Sequence, residues 1–155
     1  MSPRRLHGFR ALLLRIHGAR VGPNTRISNR CRVLHPWLLE VGEWSAIGDD
    51  VYLYNTGSIT LGAHSAISHR CHICAGTHDY AAPNLPLVRS SIRIGNGVWI
   101  ATDVFVGPDV SIGDNAVIGA RSVVVKDIPP GVVAAGHPAK PIKPRLPANR
   151  SSGDS

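Results

Sequence analysis

Apolar residues recur along this chain with a step of six. Val21, Ile27 and Val33 form one run, Val41, Ile47 and Leu53 a second, and Leu61, Ile67 and Ile73 a third. The register resumes at Ile94 and continues through Ile100, Val106, Ile112, Ile118 and Val124. Two other slots keep step with it. One residue after the aliphatic stands a small residue, often glycine, as at Gly22, Gly42, Gly62, Gly95 and Gly113. Four residues after it stands another small or β-branched one, as at Thr25, Cys31, Ser45, Val51, Cys71, Val98 and Ala116. A helix repeats every 3.6 residues and a strand every two, so neither alone generates this pattern. A coil of three short strands does. Each hexapeptide makes one flat face and one corner, its aliphatic points inward, and coils stack at about 4.8 Å. The sequence therefore predicts an all-β, single-stranded parallel β-helix, a hexapeptide-repeat solenoid, over residues 21–143.

The step is broken at intervals. Val33 to Val41 and Leu53 to Leu61 each take eight residues, and Ile73 to Ile94 takes twenty-one. Every third repeat up to Ile94 is thus expanded, always at the same corner of a triangular prism. The largest expansion is a loop at 78–93 carrying Asp79, Tyr80, Pro83, Asn84 and Pro86, and long loops on a rigid solenoid commonly carry function. Ahead of the repeats, residues 1–20 predict a short capping helix with Leu6, Phe9, Leu13 and Ile16 on one face. A helix lying on a membrane surface is the other reading of that segment. Residues 144–155 are polar and rich in Pro and Ser, which predicts a disordered tail.

Composition narrows the picture. Apolar residues make up 43% of the chain but aromatics only 5%, so aliphatics must fill the interior. The net charge of +7 lies mostly towards the two ends. It suits a phosphate-bearing ligand, an anionic membrane surface or nucleic acid. No nucleic-acid module is recognisable, so no nucleic-acid partner is expected. Three cysteines without a secretory signal point to a reducing compartment, and hence to the cytoplasm. Arg10 and Arg15 interrupt the apolar run Phe9–Ile16, which is too short to span a bilayer; a peripheral membrane contact stays open.

Among candidate chemical groups, Cys71 and Cys74 form a C-x-x-C, but the register puts both in small packing slots. His64 and His69 form an H-x4-H pair of the kind that binds zinc in γ-class carbonic anhydrases, which share this type of solenoid. That reading stands as an alternative, although no metal is expected. His78 ends a hexapeptide at the expanded corner, directly before the long loop. An offset of twenty residues puts Ser58 one coil below it, with Tyr54, Asn55 and Thr56 along the same corner, groups suited to hydrogen-bonding a polyol.

Ala75-Gly-Thr-His-Asp-Tyr80, Ile94-Gly-Asn-Gly-Val-Trp-Ile-Ala101, Ile112-Gly-Asp-Asn-Ala-Val-Ile-Gly-Ala120, Lys126-Asp-Ile-Pro-Pro130 and Ala135-Gly-His-Pro-Ala139 carry a family resemblance. Over about residues 8 to 145 the chain resembles the hexapeptide-repeat acetyltransferases, the group of galactoside, maltose and nodulation acetyltransferases. Within it the chain is most similar to the colanic acid subfamily. The resemblance implies a left-handed coil and a homotrimer with active sites between subunits. It also implies acetyl-CoA as donor and a carbohydrate acceptor, in exopolysaccharide biosynthesis. It makes His78 the catalytic base, with Asp50, Tyr54, Asn55, Asp79 and Tyr80 towards the acceptor. Trp99, Ala101 and Thr102 match the coil lining the pantetheine channel, Ala120, Val125 and Lys126 the coil nearer the nucleotide, and Lys140 and Lys143 the phosphate contacts. In the galactoside enzymes the matching histidine follows Thr-Gly, whereas here Gly76-Thr77 precedes it.

A sugar hydroxyl is a poor nucleophile at neutral pH. A histidine, with an ordinary pKa of about 6.5, can take its proton as it attacks the thioester. A backbone N–H is expected to stabilise the oxygen that gains charge, and no acyl-enzyme is expected. An antibiotic acetyltransferase, running the same reaction on another acceptor, and a noncatalytic scaffold remain alternatives.

Overall fold

The computed structural model describes residues 4–146, with side chains from Gly8 onward. The hexapeptides wind a left-handed parallel β-helix of about six turns with three faces. Face one stacks Arg20–Val21, Leu39–Val41, Ile59–Leu61, Ile92–Ile94 and Ser111–Ile112. Face two stacks Arg26–Ile27, Ala46–Ile47, Ala66–Ile67, Trp99–Ile100, Val117–Ile118 and Val132–Gly136, and Ala139–Pro144 closes it antiparallel. Face three stacks Arg32–Val33, Tyr52–Tyr54, His72–Cys74, Phe105–Val106 and Val123–Val124. Pairing between coils is parallel and in register, Ile47 on Ile67 and Ile67 on Ile100, so identical slots lie above one another. Every aliphatic of the six-residue series is buried except Val33, which is half-buried on the first coil.

The fourth position of the repeat explains the sharp corners. Asn24, Trp44, His64 and Asn115 at the corner between faces one and two have φ of 55–58°. Asp50, Arg70, Asp103 and Arg121 at the next corner have φ of 57–60°. A residue in the left-handed region turns the chain within four residues.

The corners differ in how closely their coils approach. Between faces one and two the small slot is glycine on five successive coils, at Gly22, Gly42, Gly62, Gly95 and Gly113. A Cβ on Gly62 would lie 2.6 Å from the carbonyl carbon of Gly95 on the coil above. Between faces two and three the same slot accepts Ser28, Ser68 and Ala101. At Gly107, between faces three and one, a Cβ would meet nothing nearer than 3.5 Å. Gly62→Ala is therefore expected to destabilise the protein by about 1–3 kcal/mol through overpacking. Gly107→Ala is expected to be neutral, or to stabilise by up to ~1 kcal/mol through the unfolded chain. Urea unfolding of the two variants side by side checks the contrast.

The N-terminal helix, Arg4–Ile16, lies on the open first coil, as the sequence predicts, but with a different face inward. Ala11 and Leu14 are buried and Leu13 is half-buried, whereas Phe9 and Ile16 point outward. The carbonyls of the first coil have no coil beneath them to bond. Arg10 donates to Cys31 O (2.8 Å) and Arg15 to Val21 O (2.9 Å) and Gly22 O (3.0 Å). Satisfying these carbonyls turns the arginine-bearing side towards the coil. The side chain of Leu6 lies outside those described.

At the other end the last strand, Ala139–Pro144, runs one residue beyond the expected boundary at 143. Arg145 donates from its backbone to Gly131 O (2.8 Å) and from its guanidinium to Gly97 O (2.6 Å). The remainder of the expected tail, residues 147–155, lies outside the described residues.

Candidate active site

The corner between faces three and one carries all three expansions: 34–38, 55–58 and 75–91. The last is a hairpin. Gly76–His78 pairs antiparallel with Leu87–Arg89, in the register Gly76 on Arg89, Thr77 on Val88 and His78 on Leu87. Asp79 organises the turn. Its carboxylate accepts from Ala81 N (3.0 Å), its backbone N–H donates to Pro86 O (3.0 Å), and Leu85 N donates to Ala82 O (3.0 Å). Leu85 is held at φ +45°. That conformation aims its carbonyl at His78, whose Nδ1 lies 2.6 Å away. A carbonyl can only accept, so Nδ1 carries the proton and Nε2 keeps its lone pair. His78 is exposed, and among the described residues no group bonds its Nε2.

The groups placed along this corner by sequence divide into two sets. Tyr54 packs edge-on against Tyr52 (5.8 Å between ring centroids) and against His72 (6.4 Å), and its ring lies beside Gly76 at the hairpin's base. Tyr80 is almost fully exposed at the tip. Asn55, by contrast, is completely buried. Its Oδ1 accepts from Leu34 N and His35 N, both at 3.0 Å, and its Nδ2 donates to His35 O (2.6 Å). The amide is consumed in clipping two expanded corners together, so Asn55 has nothing left for an acceptor. Thr56 is likewise buried on Ala75 O. Ser58 bonds Ser91 rather than lying under His78, because the hairpin leaves the stack before a twenty-residue offset is complete.

Asp50 lies elsewhere in the chain, at the corner between faces two and three. It forms an ion pair with Arg30 (2.5 Å), and Arg70 pairs with Asp103 (2.8 Å) further along that edge. The residues matched to CoA are also split between edges. Trp99 points outward from face two, its indole N–H on Ser68 Oγ (3.1 Å). Ala101 and Thr102 follow it into the corner with face three, and Ala120 stands one coil above, exposed. Lys140 and Lys143 project from the closing strand of face two. Val125 and Lys126 stand at the corner with face one, on the His78 side of the prism. One chain therefore offers a base at one corner, and a shallow strip lined by small residues and ended by cations around another.

Two of the three thiols, Cys31 and Cys71, are shut inside the coil. Burial pushes Cys71 up to about 11 and Cys31 up to about 12, so neither is a thiolate at neutral pH. Cys74 departs from its expected packing slot. It faces outward on face three, half-buried, with Sγ 3.3 Å from Gly76 O. His64 and His69 stand at two different corners of one coil. Sequence reasoning overlooked His72, which stacks on Tyr52 (5.1 Å) and meets Phe105 edge-on (5.5 Å). Burial, and then the Arg32 guanidinium, hold its pKa below the usual histidine value. It also overlooked Leu85, whose contribution is a backbone carbonyl and leaves no side-chain signal.

The family model described as "Bacterial transferase hexapeptide (six repeats)" matches residues 91–126. Over 145 residues the chain is 46% identical to the colanic acid biosynthesis acetyltransferase WcaF of Escherichia coli (strain K12), spanning 94% of this chain and 80% of that protein. A maltose O-acetyltransferase from Clostridium difficile 630 superposes with a TM-score of 0.85 at 30% identity, covering 95% of this chain and 79% of its own. A galactoside acetyltransferase in complex with coenzyme A gives 0.84 at 29% identity, covering 94% and 74%. Fold, repeat and near-full-length likeness agree: this chain is an enzyme and belongs to the hexapeptide-repeat acetyltransferases.

Proposed function

We propose that this enzyme moves an acetyl group from acetyl-CoA to a hydroxyl of a carbohydrate, in exopolysaccharide synthesis, with His78 as general base. The observation that carries this reading is the His78–Leu85 contact. It fixes the imidazole tautomer and leaves Nε2 as an acceptor at an exposed corner. Nε2 takes the hydroxyl proton as the oxygen attacks, and Nδ1 stays bonded to a fixed carbonyl while the ring carries charge. The likeness to a protein named for colanic acid biosynthesis, and to galactoside and maltose acetyltransferases, supports a carbohydrate acceptor. Tyr54 at the base of the hairpin and Tyr80 at its tip offer a hydroxyl each on this corner, with Asp79 shaping the turn next to His78.

Acetyl-CoA supplies an activated acyl group, and the chain's second edge fits such a ligand. Ala101, Thr102 and Ala120 leave room beside Trp99 for a narrow pantetheine arm, and Lys140 and Lys143 offer cations to the phosphates. Val125 and Lys126 stand at the other edge. In a homotrimer, the corner with His78 on one copy would meet face two of its neighbour, and Asp50 would come towards the acceptor from across that junction. Cys31 and Cys71 stay protonated, which favours direct transfer over an acyl-cysteine. Three free cysteines suit a reducing, cytoplasmic setting, and no described helix is long and apolar enough to cross a membrane.

Release of free CoA, followed with a panel of mono- and oligosaccharides, tests the assignment. Acceptor-dependent release with a sugar ester as product is expected; acceptors other than carbohydrates alone stimulating release would reject it. Calorimetry with CoA tests the second edge. Lys140→Glu/Lys143→Glu is expected to weaken CoA binding at least ~10-fold at low salt, the deficit shrinking as salt screens the phosphates.

A further inference from the structure

The fold leaves one apolar stripe of its own uncovered. Ala11 and Leu14 use up the inward face of the N-terminal helix, and the outward face carries Phe9, Leu12 and Ile16, which are 58, 49 and 68% exposed. Steps of three and four put them in one line. Trp37, 62% exposed, stands beside the helix's end, where a Cβ on Gly18 would come within 3.0 Å of its own Cβ. Single exposed apolar side chains are ordinary, but four large ones gathered at one end of a solenoid are not.

The charge around the stripe is as one-sided. Eight arginines fall between Arg4 and Arg32, and Glu40 is the first acidic residue in the chain. Arg20 and Arg30 are paired, with Glu40 and Asp50. Arg10 and Arg15 donate to carbonyls, which carry no formal charge, so their own charge stays uncancelled. Whatever covers this end must be apolar and anionic at once. A second copy of the chain, itself at +7, brings more positive charge to the contact. A bilayer with anionic headgroups supplies both properties, and tryptophan and arginine side chains sit well at its boundary.

We propose that the first coil and its helix dock on an anionic membrane surface, with Phe9, Leu12, Ile16 and Trp37 entering the boundary between headgroups and acyl chains. Trp37 belongs to the same corner as the His78 hairpin, two coils or ~10 Å below it along the solenoid. Docking would hold the hairpin just above the headgroups. The contact requires nothing of the acceptor's identity and stands apart from the reaction assigned above.

Sedimentation of the full chain with vesicles of phosphatidylglycerol and phosphatidylcholine, against phosphatidylcholine alone, tests it. Binding to the anionic vesicles that weakens with salt is expected. Phe9→Ser/Ile16→Ser should bind at least ~10-fold more weakly, and Trp37→Ser, off the helix, more weakly than wild type, with melting temperature and oligomer mass unchanged. Failure of the wild type to bind anionic vesicles at low salt would overturn the proposal. So would a double variant that binds normally, or one whose oligomer mass falls, since the stripe would then be a subunit contact.

Discussion

His78→Ala is expected to lower turnover by about 10²–10⁴-fold, while CoA affinity and thermal stability stay at wild-type values. The residue is exposed, and among the described residues its side chain makes one hydrogen bond, to Leu85 O, so removing the ring leaves neither a core cavity nor a buried orphan. His78→Asn sharpens the result. Asparagine can still donate to a carbonyl but cannot accept a proton at neutral pH, so it should be as inactive as alanine if the ring is the base. An asparagine variant with substantial turnover would reduce His78 to a binding group. The Leu85 carbonyl is tested through the backbone. Leu85→Gly suits φ +45° and should keep activity within a few-fold. Leu85→Pro fixes φ near −65° and removes the N–H that bonds Ala82 O. It should cut kcat by ~10–10²-fold at unchanged KM for acetyl-CoA, as expected when a base is displaced rather than removed.

What the sequence could and could not reveal follows from the physics of the repeat. Each coil must satisfy the same steric conditions as the one below, so slots recur and the inward residues are readable. The expanded corner was readable for the same reason, since an insertion is visible against a fixed step. The first coil breaks the logic because nothing lies beneath it. There the demand of carbonyls for donors outweighs burial of the largest apolar side chains, drawing the guanidinium groups of Arg10 and Arg15 to the coil and leaving Phe9 and Ile16 outside. Asn55 misled in the opposite direction. An amide at an active corner looks like a ligand-binding group, and only the geometry reveals that a neighbouring corner has consumed it. Leu85 could not be found at all, because its function lies in a carbonyl that every residue has. The partition of the CoA-matched residues follows from the register itself: Ala120 and Lys126 are one step of six apart, so they fall at successive corners of the prism.

That partition sets up a complementation result. Ala120 is exposed at the edge between faces two and three, so Ala120→Trp should fold normally and block the strip beside Trp99. His78→Ala removes the base from the other edge. Each variant alone is expected to retain at most about 1% of wild-type turnover. If a site takes its base from one copy and its CoA strip from the next, a mixed oligomer regains sites wherever an Ala120→Trp subunit supplies His78 to a His78→Ala neighbour. With equal amounts and random assembly, half the subunits carry an intact base and half of their neighbours an intact strip. About one quarter of wild-type activity should therefore return. If each chain held its own complete site, no mixture could exceed the two variants' average. Co-expression with two affinity tags, purification through both and correction for the species retained distinguishes a quarter from a hundredth. The experiment reads the one property that a single chain cannot display: whether its two separated edges become one active site when a second copy is present.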